Sequence, residues 1–209
     1  MDILRRREAI LHAVRPSAGY LAIGFLTNLP VRALFRLRAH GLENVPADGG
    51  AVLAANHSSN IDPWPLGLPL FPRRHLRFMA KSELYWFPLK YLLNAAGAFP
   101  VRRGRQDDEA IRTAVELCRQ GEIVVMFPEG TRRRKGLWKT REARAHTGAA
   151  RIARDAGVPL VPAAISGTQR LRRLGPFRVV YGPPVEVSED AGETTDRLMA
   201  AIDELETTL

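Results

Sequence analysis

Four short apolar runs constrain this chain more than any other feature. They are GAVLAAN (50–56), LRFMA (76–80), EIVVMF (122–127) and PLVPAAI (159–165). Each has the length of a strand and is bounded by turn formers or charged residues, the mark of strands buried on both faces of a sheet. Three more segments read as extended: Phe35, Leu37 and Ala39 alternating with Arg36, Arg38 and His40, then GAFPV (97–101) and RVVYG (178–182). Helical patterns fall between them. One starts at Ser82 as N-cap, one runs from Asp107 or Asp108 to Gly121, one spans about 143–156 and stops at Gly157, and one covers 193–207. Strands alternating with helices predict an α/β fold with a largely parallel central sheet flanked by helices. Sites in such sheets lie at the carboxyl ends of the strands. His57 and the run FPEGTRRRKG (127–136) both fall there.

The charge balance narrows the partners. A net charge of +9 over 209 residues points to nucleic acid, phosphorylated small molecules or an acidic lipid surface. Nucleic acid is excluded by pattern, since there is no zinc-ligand spacing, basic zipper or aromatic-basic strand signature. The single cysteine, Cys118, excludes a disulfide framework and fits a reducing compartment. Cys118 shares a helix face with Ile111, Ala114 and Val115, which is a core position and not that of an exposed nucleophile. No signal peptide and no run of eighteen clean apolar residues is present.

Residues 2–15 carry a basic amphipathic pattern, Pro16 breaks it, and SAGYLAIGFLTNL (17–29) follows, closed by Pro30. These pieces read either as two helices packed on the domain or as a monotopic anchor. The basic flank favours the anchor. The chain therefore divides into a membrane-associating helical segment, 1–34, and a catalytic domain, 35–209. The expected location is the cytoplasmic face of the cell membrane, peripheral or monotopic, against an anionic surface.

His57 is followed five positions later by Asp62 and Pro63. The plain reading is that Asp62 caps a helix with Pro63 at its first position. The chemical reading makes His57 a general base and Asp62 its orienter, with one imidazole nitrogen fixed by the carboxylate and the other free to take a proton. A tight turn through Ser58, Ser59 and Asn60 would fold the two together. No protein nucleophile accompanies them, so the nucleophile would be a substrate hydroxyl. The second constellation, FPEGTRRRKG, puts a glutamate, a permissive glycine, a hydroxyl and four cations at a strand end; a solvated basic loop is its plain alternative.

Taken in order, Asn56-His57-x4-Asp62, GAFPVRRG, FPEGTR and VPLVPAAI resemble the motifs of the glycerolipid acyltransferases, above all the bacterial 1-acyl-sn-glycerol-3-phosphate acyltransferase family. The resemblance covers about residues 35–187. It implies acyl transfer from acyl-CoA or acyl-carrier protein, as co-substrate, to the free hydroxyl of a lysophospholipid such as lysophosphatidate. It implies no metal and no other cofactor. Carried over by position, His57 is the base and Asp62 its partner. Glu129, Gly130 and Thr131 shape the acceptor pocket, while Arg132, Arg103 and Lys81 face the phosphate. Two departures concern the acceptor. Arg102 stands where many members have aspartate, and AHTGAA (145–150) replaces a frequent lysine. A thioester hydrolase would use similar His/Asp machinery but has no use for a phosphate clamp. An acyltransferase for another phosphorylated or glycolipid acceptor is the remaining alternative.

Overall fold

The computed structural model describes residues 16–101, 107–129 and 146–209. The expected helix over 2–15 and the residues Arg103, Gly130, Thr131 and Arg132 lie outside the described residues, as does the side chain of Lys81.

The apolar runs do become the sheet. Its strands are β1 (Arg38–His40), β2 (Ala51–Ala55), β3 (Leu76–Lys81), β4 (Ala98–Val101), β5 (Ile123–Met126), β6 (Leu160–Ser166) and β7 (Arg178–Tyr181). They are ordered β1-β7-β6-β2-β5-β3-β4. The five strands from β6 to β4 are parallel, and β7 joins β6 antiparallel with β1 parallel to it. The expected largely parallel sheet is present. Every residue of β2 is buried because it sits mid-sheet with helices on both faces.

One face is covered by α1 (Ala18–Leu34) and α2 (Pro63–Gly67), whose Val31 and Leu66 pack with Leu53, Val125 and Val161. α3 (Leu89–Ala95) lies beside α1, so close that a Cβ on Gly19 would stand 2.9 Å from that of Ala95. The other face is covered by α4 (Asp107–Arg119), α5 (Gly148–Ala156) and α6 (Ala191–Thr207), through Leu117, Ile152 and Leu198. Gly157, at φ +67, ends α5 in the left-handed conformation that favours glycine.

Three local expectations are corrected. The alternating segment 35–40 is a regular strand only over β1: Arg36 takes φ +44, and Phe35 at the helix end stacks on Phe177 at 4.3 Å and accepts from its N–H at 2.9 Å. Helix α1 runs through Pro30 to Leu34; Pro30 and Leu26, whose carbonyl loses its helical partner, both lie on the exposed side, and burial of Val31 and Phe35 holds the last turn. The segment after Ser82 is a 3₁₀ turn (Ser82–Leu84), with α3 beginning only past Pro88. Among the described residues no helix is long and apolar enough to cross a membrane.

Candidate functional site

β2 ends at Ala55 in mid-sheet, and the next residues are arrested by side-chain bonds. Asn56 turns inward and continues the ladder with its amide. Its Nδ2 donates to the Ile165 carbonyl at 3.0 Å, and its Oδ1 accepts from the Ile165 N–H at 2.8 Å. His57 therefore leaves the sheet from a fixed point.

The turn that follows closes on Asp62. Its carboxylate is fully buried, at 0 % exposure. Oδ2 accepts from the Ser58 N–H at 2.7 Å, from the Ser59 N–H at 2.8 Å and from His57 Nδ1 at 2.9 Å. Oδ1 accepts from the Thr168 hydroxyl at 2.5 Å. Four donors for one carboxylate replace the water it has lost and keep it an acceptor. With Nδ1–H donated to Asp62, the lone pair of the neutral ring sits on Nε2. The imidazole stacks on Phe127, ring centroids 4.2 Å apart, and its side chain keeps 18 % exposure. A ring held by a carboxylate at one nitrogen and by an aromatic face has little freedom except to exchange a proton at the other.

Asp62 does not cap α2. Its backbone is already helical, at φ −51 and ψ −40, and its side chain makes no cap bond. The helix start is also closed as a source of oxyanion donors. Pro63 and Pro65 have no N–H, and that of Trp64 is donated to the Ile61 carbonyl at 3.0 Å. The Ser58 and Ser59 amides are spent on Asp62.

Neighbouring strands bring Glu129 and the backbone of Lys81 to the same edge. β5 lies beside β2 and leads into Phe127, Pro128 and a buried Glu129. The His146 N–H donates to the Pro128 carbonyl at 2.9 Å, so the chain returns to the end of β5 before starting α5. His146 is exposed and precedes that helix. β3 lies beside β5 and ends at Lys81, which is in register with Val101 at the end of β4, two residues before Arg103. His57, Glu129 and Lys81 thus leave three adjacent strands at their carboxyl ends.

Comparisons with known proteins place the chain in a family. The acyltransferase family model matches residues 36–166. The chain belongs to the acyltransferase family. It is 33 % identical over 174 residues to the 1-acyl-sn-glycerol-3-phosphate acyltransferase of Bacillus subtilis, covering 80 % of this chain and 83 % of that one. It is 31 % identical to the enzyme of the same name from Salmonella typhimurium, over 74 % of this chain and 66 % of that one. A chloroplastic relative from Arabidopsis thaliana is 28 % identical, and there the match spans only 41 % of the relative's length. Among solved structures, the 1-acyl-sn-glycerophosphate acyltransferase of Thermotoga maritima superposes with a TM-score of 0.61 over 96 % of this chain and 87 % of that one, at 23 % identity. That likeness concerns the fold: an α/β sheet flanked by helices.

Sequence reasoning on this acyltransferase missed Thr168 and the double role of Asn56. Thr168 follows Ser166 and Gly167 at the carboxyl end of β6, so its position at a strand end was the available signal. Burial pushes the Cys118 thiol up to about 12, as expected of a core residue.

Proposed function

We propose that the chain transfers a fatty acyl group from a thioester, acyl-CoA or acyl-carrier protein, to the free hydroxyl of lysophosphatidate, making phosphatidate. The observation that carries this reading is the His57–Asp62 pair, with the carboxylate saturated and, among the described residues, no serine or cysteine side chain hydrogen-bonded to the imidazole. The acceptor's hydroxyl gives its proton to His57 Nε2 as its oxygen attacks the thioester carbonyl. Asp62 stabilises the imidazolium that results. When the tetrahedral adduct collapses, the C–S bond breaks and the leaving thiolate takes the proton back from Nε2. The products are the ester and a free thiol.

Lys81, Arg103 and Arg132 are assigned to the acceptor phosphate, and Glu129, Gly130 and Thr131 to the walls of its pocket. Support comes from the shared strand edge of Lys81 and Glu129, from the charge, and from the names of the relatives. Paired guanidinium groups fix a phosphate monoester in place as well as neutralise it, so the glycerol hydroxyl is presented to the base. Residues 1–34 hold the enzyme on the cytoplasmic face of the membrane, and 35–209 carry the chemistry.

Acceptor-dependent thiol release tests the assignment. Arg103→Ala and Arg132→Ala are each expected to lower acceptor kcat/KM by more than about tenfold while slow thioester hydrolysis falls much less. Lysophosphatidate should exceed a neutral monoacylglycerol by at least a similar factor. If monoacylglycerol serves equally, the acceptor assignment is wrong; if thiol release is as fast without any acceptor as with lysophosphatidate, the protein is a thioester hydrolase.

A further inference from the structure

The two faces of the molecule are unlike. Over α4, α5 and α6 the outer surface is charged, with Arg151 bonded to Asp108 at 3.1 Å and Arg197 to Glu193 at 2.6 Å. Over α1 and α3 it is apolar. Ala18, Ala22, Phe25, Leu26, Leu29 and Ala33 recur at helical spacing along the outer side of α1, and all are exposed. Leu29 is 75 % exposed and Phe25 66 %. Beside it, the segment from the end of β3 into α3 presents Trp86, Phe87, Tyr91 and Leu92, with Phe87 at 73 % and Trp86 at 58 %. The Gly19–Ala95 contact joins the two elements into one surface.

We propose that Leu84–Leu92 is a second membrane-docking element, which together with the outer side of α1 forms a single face that lies in the lipid interface. This rests on the proposed use of a lipid acceptor and goes beyond an anchor confined to residues 1–34. Three observations select a lipid leaflet as the occupant. Trp86 and Tyr91 are amphipathic aromatics of the kind that settle at the headgroup level, and the Lys90 ammonium stands 5.0 Å from the Tyr91 ring centroid, at the rim where an anionic headgroup would meet it. Helix α1 carries no charge from Ala18 to Val31 and then gains Arg32, with Arg36 just beyond its end, so its cations also sit at one margin. The face adjoins the catalytic turn, because Trp64 Nε1 donates to Thr27 of α1 at 3.1 Å, two residues from Asp62. A second copy of the chain fits less well. Phe25, Leu29 and Phe87 are each more than half exposed, whereas a self-complementary interface seats its aromatics in pockets.

The test uses the full chain with Trp86 as its sole tryptophan, through Trp64→Phe and Trp138→Phe. Added to phosphatidylcholine–phosphatidylglycerol vesicles, Trp86 should shift its emission to the blue and be quenched by lipids brominated high on the acyl chain. In the otherwise wild-type protein, Trp86→Ala/Phe87→Ala should lower partition into those vesicles by about tenfold or more. Its thermal midpoint should not fall, and its thiol release in detergent micelles should stay within about twofold, since both side chains are exposed and neither is among the residues assigned to the site. Vesicle binding that leaves Trp86 emission unchanged, or partition indifferent to the double substitution, overturns the proposal. A dimer that dissociates on the double substitution while vesicle binding persists would assign the face to a second copy. If the protein docks as described but releases no thiol with any lysolipid, the docking face stands and the acyltransferase reading of the acceptor falls.

Discussion

Among the described residues, two histidine–carboxylate pairs stand at opposite ends of the sheet. At the carboxyl end His57 Nδ1 bonds Asp62 at 2.9 Å; at the amino end His75 Nε2 stands 2.8 Å from Glu122. Distance and burial barely separate them. What differs is the company each carboxylate keeps. Both oxygens of Asp62 are satisfied, three of the four donors being fixed by the turn and by Thr168. Glu122 has one oxygen without a hydrogen-bond partner, and its contact with His75 lacks hydrogen-bond alignment. Instead, Glu122 serves its surroundings electrostatically. Burial pulls the Arg77 and Arg74 guanidinium groups below their usual range, and the nearby Glu122 charge opposes that. Arg74 in turn donates to the carbonyls of Ala47 and Gly121, and the edge of the Tyr20 ring closes over His75. The amino-end pair is part of a structural knot, and the carboxyl-end pair holds its imidazole in the orientation the proposed base requires. A carboxylate held by fixed donors beside an open strand edge marks a site; proximity to histidine alone does not.

Substituting the two pairs in parallel tests that distinction. His57→Ala should lose at least about 10²–10⁴-fold in kcat with the fold retained. His75→Ala should keep kcat within about threefold. Equal losses from the two, by thiol release, would erase the contrast. Asp62→Asn should come close to His57→Ala, because an amide nitrogen placed among N–H donors either reverses the imidazole tautomer or breaks the turn. Glu122→Gln should act on stability instead. Leaving Arg77 buried without its counter-charge costs roughly 2 kcal/mol, about 4–8 °C in Tm for a chain of this size, with kcat little changed. Calorimetry beside the activity assay separates the two outcomes.

Smaller effects sharpen the picture. Thr168→Val keeps the shape but removes one donor from Asp62, and a loss of about 1 kcal/mol predicts a fall of roughly fivefold in kcat. An unchanged rate would show that the Ser58, Ser59 and His57 bonds suffice. Cys118, whose Sγ–H donates to the Ala51 carbonyl at 3.5 Å, belongs to the silent half of the molecule. With its thiol raised to about 12, only about one molecule in 10⁵ carries the thiolate at pH 7, and iodoacetamide should label it only after denaturation. Rapid labelling of the native protein would contradict its burial.

Much of this was legible in the sequence because it depends on local chemistry. Runs such as EIVVMF have few alternatives to a buried strand, and Gly157 announces the end of a helix. The His57–Asp62 pairing was legible as one of two readings, since Ser58, Ser59 and Asn60 are turn formers that can fold the two together. What was hidden depends on partners far away in the chain. Asp62 looked like a helix cap because Asp-Pro so often is one; its actual donors include Thr168, over a hundred residues later. Pro30 looked like a helix end, and only the burial of Val31 and Phe35 against the sheet shows why the helix continues. The exposure of Trp86 and Phe87 was equally unreadable, since no basic flank like that before residues 17–29 sets them apart from core residues.

The pairing of β1 with β7 also sets an order of events during synthesis. Arg38 finds its partner in Arg178, so the first strand made must wait for about 140 further residues before it joins the sheet. Helix α1, made just before it, has its apolar outer side available throughout that interval. Until then β7 has no neighbour on its outer side, and the sheet of a growing chain stays open at that end. Late closure of this edge is the interval in which the chain is most exposed to aggregation.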